Sequence, residues 1–538
     1  MFERFICPRY LPAAAGLAGG LALVASFPPR SSPLLAVLAW APVHLACAVR
    51  RTGLPSRLVV GLVVGLAVGL LGASWMYGTL RSFAGVGPVV AAAGHLAFAL
   101  YVAVPFVVAT WVWGWLHRAP ALLRALAAGA VLAGAEAFVP TAVGYRSAVG
   151  LSGAPSWIQL ADLAGVSAVT VWQVTCGALI AEGIHALHRR RGRVAVGIAL
   201  FAWVAANAIY GHVRMAEVDD RFAAARIVRV GLVQPSIPLR HEDRAVQIEL
   251  LRRAGDAAAA QGAEIVVWPE SSYPWAIEMP WRAPRWGPRS PFGAAARPLV
   301  LASTTYRRGD PTPENRAFAL AADGRVIASY AKVHLLPFGE RVPIVDPGWA
   351  EAHLPGVHHY RAGEGPVVFA FETASGPLRL GPLICYEDTL PHHATAVAAR
   401  GIDAFLNLTN DAWFGPTAAP WQHEGLAVFR AVEQRRPMVR VVGTGPSGLV
   451  DPAGRIVQHT PVTWRAVAPD PHVLVVDVPV SEPLPPTIHA RWGRWIETSF
   501  ALFGLVCGIV FGFGRRIRQR DAGVGETFGS CGSDARSA

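Results

Sequence analysis

The sequence predicts a multi-span α-helical membrane domain joined to one external α/β domain, and three observations carry that reading. Apolar runs long enough to cross about 30 Å of hydrocarbon cluster before residue 212 and recur once near the end. Arginines concentrate in alternate links between those runs. The stretch 212–495 is different: short branched and aromatic runs alternate there with turn signals and helix-compatible spacing. Composition agrees, since 53% of the 538 residues are hydrophobic and only 16% are charged. The mean hydropathy of +0.37 is too high for an ordinary soluble chain of this length.

The expected spans are 10–25, 34–49, 58–75, 89–113, 122–139, 160–180, 194–210 and 500–513. Arg50, Arg51 and Arg57 follow the second, Arg118 and Arg124 flank the link after the fourth, Arg189, Arg190, Arg191 and Arg193 follow the sixth, and Arg515, Arg516, Arg518 and Arg520 follow the last. Positive loops stay inside the cell. The expected organisation is therefore an N-terminal membrane domain of seven transmembrane helices (1–211), an external domain (212–495), a C-terminal transmembrane helix (496–515) and a cytoplasmic polar tail (516–538). The first run reads as an anchor and not a cleaved signal, because Phe27-Pro28-Pro29-Arg30 lacks the small-residue cleavage pattern.

A net charge of +12 raises the question of nucleic acid. The span-edge arginines account for much of it, and no zinc finger or basic helix stands out, so no nucleic-acid partner is expected. No Gly-x-Gly-x-x-Gly or Gly-Lys-Ser/Thr loop occurs, and Cys7, Cys47, Cys176, Cys507 and Cys531 lack the paired spacing of a zinc site. No metal or nucleotide cofactor is expected.

Within the external segment, strands are expected at 227–233, 264–268, 299–304, 316–321, 367–371, 378–384, 404–408, 438–442 and 473–478, and helices at 240–261 and 421–434. That pattern favours two sheets covered by helices. Chemistry is expected where strands stop. Glu270 follows Val267-Trp268-Pro269, where proline removes a backbone donor. Lys332 and His334 project to one side if their segment is extended, and Pro337-Phe338-Gly339 turns the chain before Glu340. Cys385 directly follows the strand 378–384. A carboxylate that takes a thiol proton, an ammonium that holds the resulting charge and a thiol nucleophile form a set suited to acyl chemistry.

At these residues the chain resembles the nitrilase superfamily, and with the attached spans it resembles that superfamily's membrane branch, the apolipoprotein N-acyltransferases. The residues that carry the likeness are Trp268-Pro269-Glu270, Lys332 within Lys-Val-His-Leu-Leu-Pro-Phe-Gly-Glu340, and Cys385 within Ile-Cys-Tyr-Glu387. Further matches are Gln234, Asn407-Leu-Thr-Asn-Asp-Ala-Trp-Phe-Gly415, the helix with Gln422, His423 and Arg430, and Arg436-Pro437. The resemblance implies an αββα sandwich with Glu270 as general base, Lys332 as oxyanion-stabilising electrophile, Cys385 as acyl-carrying nucleophile and Glu340 as supporting carboxylate. Tyr386 would lend a backbone donor to the oxyanion, and Glu387 would shape the pocket. One departure is Gly443, which stands where the family usually has asparagine.

The resemblance also implies the reaction and its setting: transfer of the sn-1 acyl chain of a phospholipid, commonly phosphatidylethanolamine, to the α-amine of a diacylglyceryl apolipoprotein, at the periplasmic face of a bacterial inner membrane. Trp275, Trp281 and Trp286 in one loop, and Trp413 and Phe414 in another, are candidates to face membrane lipid. The alternative is a membrane-tethered amidase or nitrile hydrolase using the same Glu-Lys-Cys set.

Overall fold

The computed structural model describes residues 10–49, 52–82, 84–139, 145–190, 192–236, 243–342, 345–346, 348–349, 359–462, 471–482 and 485–524, with side chains of the last helix up to Gly512. Cys7, Arg50, Arg51, Arg191, Cys531 and the tail beyond residue 524 lie outside the described residues, as do the first three positions of the helix expected at 240–261.

Among the described residues, six apolar helices are long enough to cross a membrane: Leu54–Gly72, Pro88–Arg118, Ala121–Phe138, Ala161–Arg189, Arg193–Phe222 and Ile488–Gly512. The first two expected spans are shorter. Leu11–Ser26 has 16 residues, which at a rise of 1.5 Å per residue reaches only about 24 Å. Pro33–Val49 ends in a π-helical turn at Leu45–Val49. Close packing comes from small residues at i, i+4, i+8. A Cβ on Gly61, Gly65 or Gly69 would meet backbone atoms of Phe106, Ala103 or Ala99 at 2.7, 2.2 and 2.4 Å, so only glycine lets these two helices touch backbone to backbone.

The acidic residues of this region are tied down. Glu182 accepts from Arg124 at 2.6 Å and lies 3.0 Å from His44 Nε2. Glu136 accepts from Ser147 N at 2.9 Å and Thr170 Oγ1 at 3.1 Å. Asp162 accepts from Tyr210 at 2.6 Å, Arg214 at 2.8 Å and Arg435 at 2.6 Å. Buried carboxylates so partnered act as ties between helices.

The α/β part has thirteen strands among the described residues: β1 (Arg226–Gln234), β2 (Ile265–Val267), β3 (Ile277–Met279), β4 (Leu299–Arg307), β5 (Asp310–Leu320), β6 (Val326–Ala331), β7 (Phe369–Thr373), β8 (Gly376–Ile384), β9 (Ala404–Thr409), β10 (Met438–Val442), β11 (Gly448–Val450), β12 (Ile456–His459) and β13 (His472–Val480). They form two sheets, ordered β13-β1-β2-β4-β5-β6 with β3 on β4, and β12-β11-β10-β9-β8-β7. The sheets face each other across one apolar core, where Val228, Val230, Leu232 and Val267 meet Leu378, Leu380, Leu406 and Val439. The parallel neighbours β8, β9 and β10 need crossovers, which the helices Pro391–Ala398 and Ala419–Gln434 provide. Helix Arg244–Ala260 covers the first sheet, its N-cap Asp243 accepting from the amides of Ala245 and Val246.

Helix Ala419–Gln434 is the hinge of the whole arrangement. One side packs with Leu383 and Phe405 of the sheet, and the other meets Val166, Val169 and Trp172 of helix Ala161–Arg189. Arg435 reaches Asp162 and Gln159, each at 2.6 Å, and Glu433 accepts from Val166 N at 2.9 Å. Gln422 donates to Gly72 O at 2.9 Å and accepts from Trp75 Nε1 at 3.1 Å. The edge of the sandwich that carries the ends of β8 and β9 is thereby fixed against the apolar helices.

Candidate active site

Strand β8 stops at Ile384, and the next residue turns sharply. Cys385 has φ of +55°, a left-handed conformation that costs an L-residue about 1–2 kcal/mol, and a 3-10 turn, Cys385–Thr389, follows. Glu387, fully buried, holds the turn. Its Oε2 accepts from Ile384 N at 2.7 Å and Tyr330 OH at 2.8 Å, and its Oε1 accepts from the amides of Val333 and His334 at 2.8 and 2.9 Å. Asn407 Nδ2 donates to Cys385 O at 3.0 Å. The strained turn leaves Cys385 half-buried at the end of β8.

Around the thiol stand two carboxylates and one ammonium. Lys332 Nζ lies 2.8 Å from Glu340 Oε2 and 3.8 Å from Glu270 Oε1, and 5.5 Å from the ring centre of Tyr386. Asn315 Nδ2 bridges the carboxylates, donating to Glu270 at 2.8 Å and Glu340 at 3.1 Å. The second oxygen of Glu270 accepts from Asn410 N at 3.0 Å, and Glu340 also accepts from Leu336 N at 2.8 Å. Tyr386 donates from its hydroxyl to Leu335 O at 3.0 Å.

Burial decides the resting protonation. It pushes the Glu270 carboxyl up to about 7, against the pull of Lys332 and the hydrogen bonds from Asn315 and Asn410. Burial works against the charge of Lys332, but Glu340, Cys385 and Glu270 together hold its ammonium well above the ordinary range. Burial, reinforced by Glu270, also keeps the Cys385 thiol well above its usual value. The resting set is thus a neutral thiol beside a fixed ammonium and a carboxylate that changes state near neutrality. Glu270 must be ionised to accept a proton, so activity should rise with pH through a limb near 7. Asn315→Ala removes a donor to the ionised form and should move that limb to higher pH in a kcat/KM profile; an unmoved limb would contradict this assignment.

Not every expected neighbour joins the set. β6 ends at Ala331, the chain bends at Val333 and His334, and His334 packs edge-on against His393 with ring centres 4.7 Å apart. Gln234 is a tie within the fold, accepting from Ser447 at 2.9 Å and donating to Pro461 O at 3.0 Å. A Cβ on Gly443 would lie 3.0 Å from Asn410 Oδ1, so the Asn410 side chain occupies the space beside this glycine.

Trp275 and Trp281 are partly buried around Tyr273, at 5.4 and 5.7 Å between ring centres. Trp286 is 75% exposed. Phe414 meets Trp75 edge-on at 4.9 Å, and Trp413 O accepts from Thr79 at 3.2 Å. Sequence reasoning missed Asn315, whose signal was weak: it falls one residue before the expected start of its strand.

Comparison with known proteins gives the lineage. Residues 229–478 match the carbon-nitrogen hydrolase family model, and residues 19–179 match the apolipoprotein N-acyltransferase N-terminal domain model. The apolipoprotein N-acyltransferase of Gloeobacter violaceus is 30% identical over 65% of this chain and 65% of its own length. That of Pseudomonas syringae pv. tomato is 29% identical over 82% of this chain and 84% of its own. The chain thus spans just under two thirds of the first relative's length. A solved amidase of the nitrilase superfamily from Nesterenkonia is 21% identical, covering 51% of this chain and 97% of that one with a TM-score of 0.36. Two family models thus stand in tandem on this chain, an apolipoprotein N-acyltransferase N-terminal domain over the apolar helices and a carbon-nitrogen hydrolase domain over the sandwich with its Glu-Lys-Cys set.

Proposed function

We propose that this protein transfers a fatty acyl chain from the sn-1 position of a phospholipid, such as phosphatidylethanolamine, to the N-terminal α-amine of a diacylglyceryl-cysteine apolipoprotein. One observation carries the proposal: a half-buried thiol stands beside a buried Lys332 flanked by Glu270 and Glu340, on a sandwich edge pinned to apolar helices through Gln422 and Trp75. A hydrolase needs no such attachment, whereas an enzyme acting on two lipids does.

In the first half-reaction Glu270 takes the thiol proton as Sγ attacks the ester carbonyl. Lys332 and the backbone N–H of Tyr386 stabilise the oxyanion. Collapse breaks the ester C–O bond, Glu270 returns the proton to the departing lysophospholipid, and Cys385 is left as a thioester. In the second half, the α-amine attacks the thioester carbonyl, Glu270 accepts its proton, and collapse yields the amide and frees the cysteine, to which the proton returns. Glu340 holds Lys332 in place, and Glu387 holds the nucleophile turn.

Trp286, Trp413 and Phe414 would meet acyl chains, with Trp275 and Trp281 anchoring their loop. Support comes from the exposure of Trp286 and the contact of Phe414 with Trp75 beside the apolar helices. Residues 212–495 would face the periplasm, with the membrane domain at 1–211, the last span at 496–515 and the tail at 516–538 cytoplasmic.

The test is a purified-enzyme assay with defined phospholipids and a diacylated lipopeptide, read by mass spectrometry. N-acylated lipopeptide and lysophospholipid should appear in equal amounts. Free fatty acid in place of the amide would instead establish the hydrolase.

A further inference from the structure

Behind the nucleophile turn lies a buried group of charges that the reaction above does not use. His423, on helix Ala419–Gln434, stands between two aspartates: its Nε2 is 2.8 Å from Asp388 Oδ1, and its Nδ1 is 3.0 Å from Asp411 Oδ1. Both aspartates are fully buried, and His423 nearly so. Asp388 belongs to the turn that begins at Cys385. Asp411 directly follows Asn410, whose amide holds the second oxygen of Glu270. One imidazole therefore joins the loop of the nucleophile to the loop that holds the base.

We infer that His423 is a positioning residue for the acyl chemistry: as an imidazolium bonded to both Asp388 and Asp411, it fixes the register between Cys385 and Glu270 and cancels carboxylate charge behind the thiol. Two carboxylates can each accept a proton from one ring only if both ring nitrogens carry hydrogen, that is, if the ring is charged. Burial lowers its basicity, but Asp388 and Asp411 outweigh burial and raise it to about 9. Other groups facing it are the fully buried Arg440, whose guanidinium is 3.9 Å from the second oxygens of both aspartates, and Glu424 on its own helix, which interacts with His423, Asp411 and Arg440 and also with His459. Asp411 is among the charges that resist formation of the Cys385 thiolate. Loss of the imidazolium charge exposes the thiol to that carboxylate.

This role deepens the proposed function, since it concerns the same nucleophile, and its test needs no lipid substrate. The full chain in detergent is alkylated with iodoacetamide, and the rate at Cys385 is read by peptide mass spectrometry between pH 6.5 and 10. The wild-type rate should rise with pH, level off in a shoulder near 9 as His423 loses its proton, and then rise again. His423→Gln should react about tenfold more slowly at pH 7.5 and lack the shoulder, with a melting curve showing that it is folded. A folded His423→Gln variant that matches the wild-type rate and profile overturns the assignment. If that variant does not fold, the wild-type profile decides: a shoulder supports the role and its absence refutes it. Failure of phospholipid to acylate an enzyme that shows the expected alkylation profile would instead refute the proposed reaction and leave this role standing.

Discussion

Cys385→Ala should reduce N-acylation of a diacylated lipopeptide by about 10⁴-fold or more, the scale on which removal of a covalent nucleophile acts. The size follows from the site: Glu270 and Lys332 can polarise a bound ester but have nothing to attack it with. Because the side chain is half-buried in a turn held by Glu387 and Asn407, the fold should tolerate the change. Melting should therefore shift little while activity vanishes. Retention of more than about 1% of wild-type transfer by a folded Cys385→Ala variant, which is only a hundredfold loss, would remove the thiol from the reaction.

Lys332→Ala should damage both activity and stability, which sets it apart from the cysteine change. Its ammonium lies 2.8 Å from Glu340 and 3.8 Å from Glu270, and removing it leaves the buried Glu270 and the partly buried Glu340 facing each other. Breaking a buried ion pair from one side costs about 3–5 kcal/mol. Loss of an oxyanion donor lowers kcat by about 10²–10³-fold. Glu340→Gln in the same background should recover part of the stability and none of the activity, because it removes the repulsion without restoring the cation. A Lys332→Ala variant with unchanged melting and near-normal kcat would show that the lysine neither holds the carboxylates nor touches the reaction.

Much of this arrangement is legible in the sequence, for identifiable reasons. Glu270 and Cys385 each follow an expected apolar strand, so residue type and position point the same way, whereas the strand before Lys332, Val326–Ala331, is only half-buried along most of its length and was not expected. The long strands and apolar helices also announce themselves, because burial on both faces leaves continuous hydrophobic runs. The short strands do not: β12 is exposed along its length, and β3 and β11 span three residues each, too few to show a period. β5 begins at Asp310, earlier than its apolar run, because Glu314 is buried there by pairing with Arg307 at 2.8 Å. The condition on which His334 would share a side with Lys332, an extended segment past Ala331, is not met, because the chain bends there to give two amides to Glu387. Asn315 and the clasp of His423 by Asp388 and Asp411 were invisible for a common reason: each works through a tertiary contact between residues that no local pattern links.

The account rests on a covalent intermediate, and one measurement addresses it directly. The purified enzyme is mixed with phospholipid alone, quenched rapidly and examined by intact-protein and peptide mass spectrometry. The predicted result is one added acyl mass on Cys385 with an equal amount of lysophospholipid, and transfer of that mass to the lipopeptide amine when acceptor is added. N-acylated lipopeptide formed by a competent enzyme with no acyl group ever appearing on Cys385 would contradict it.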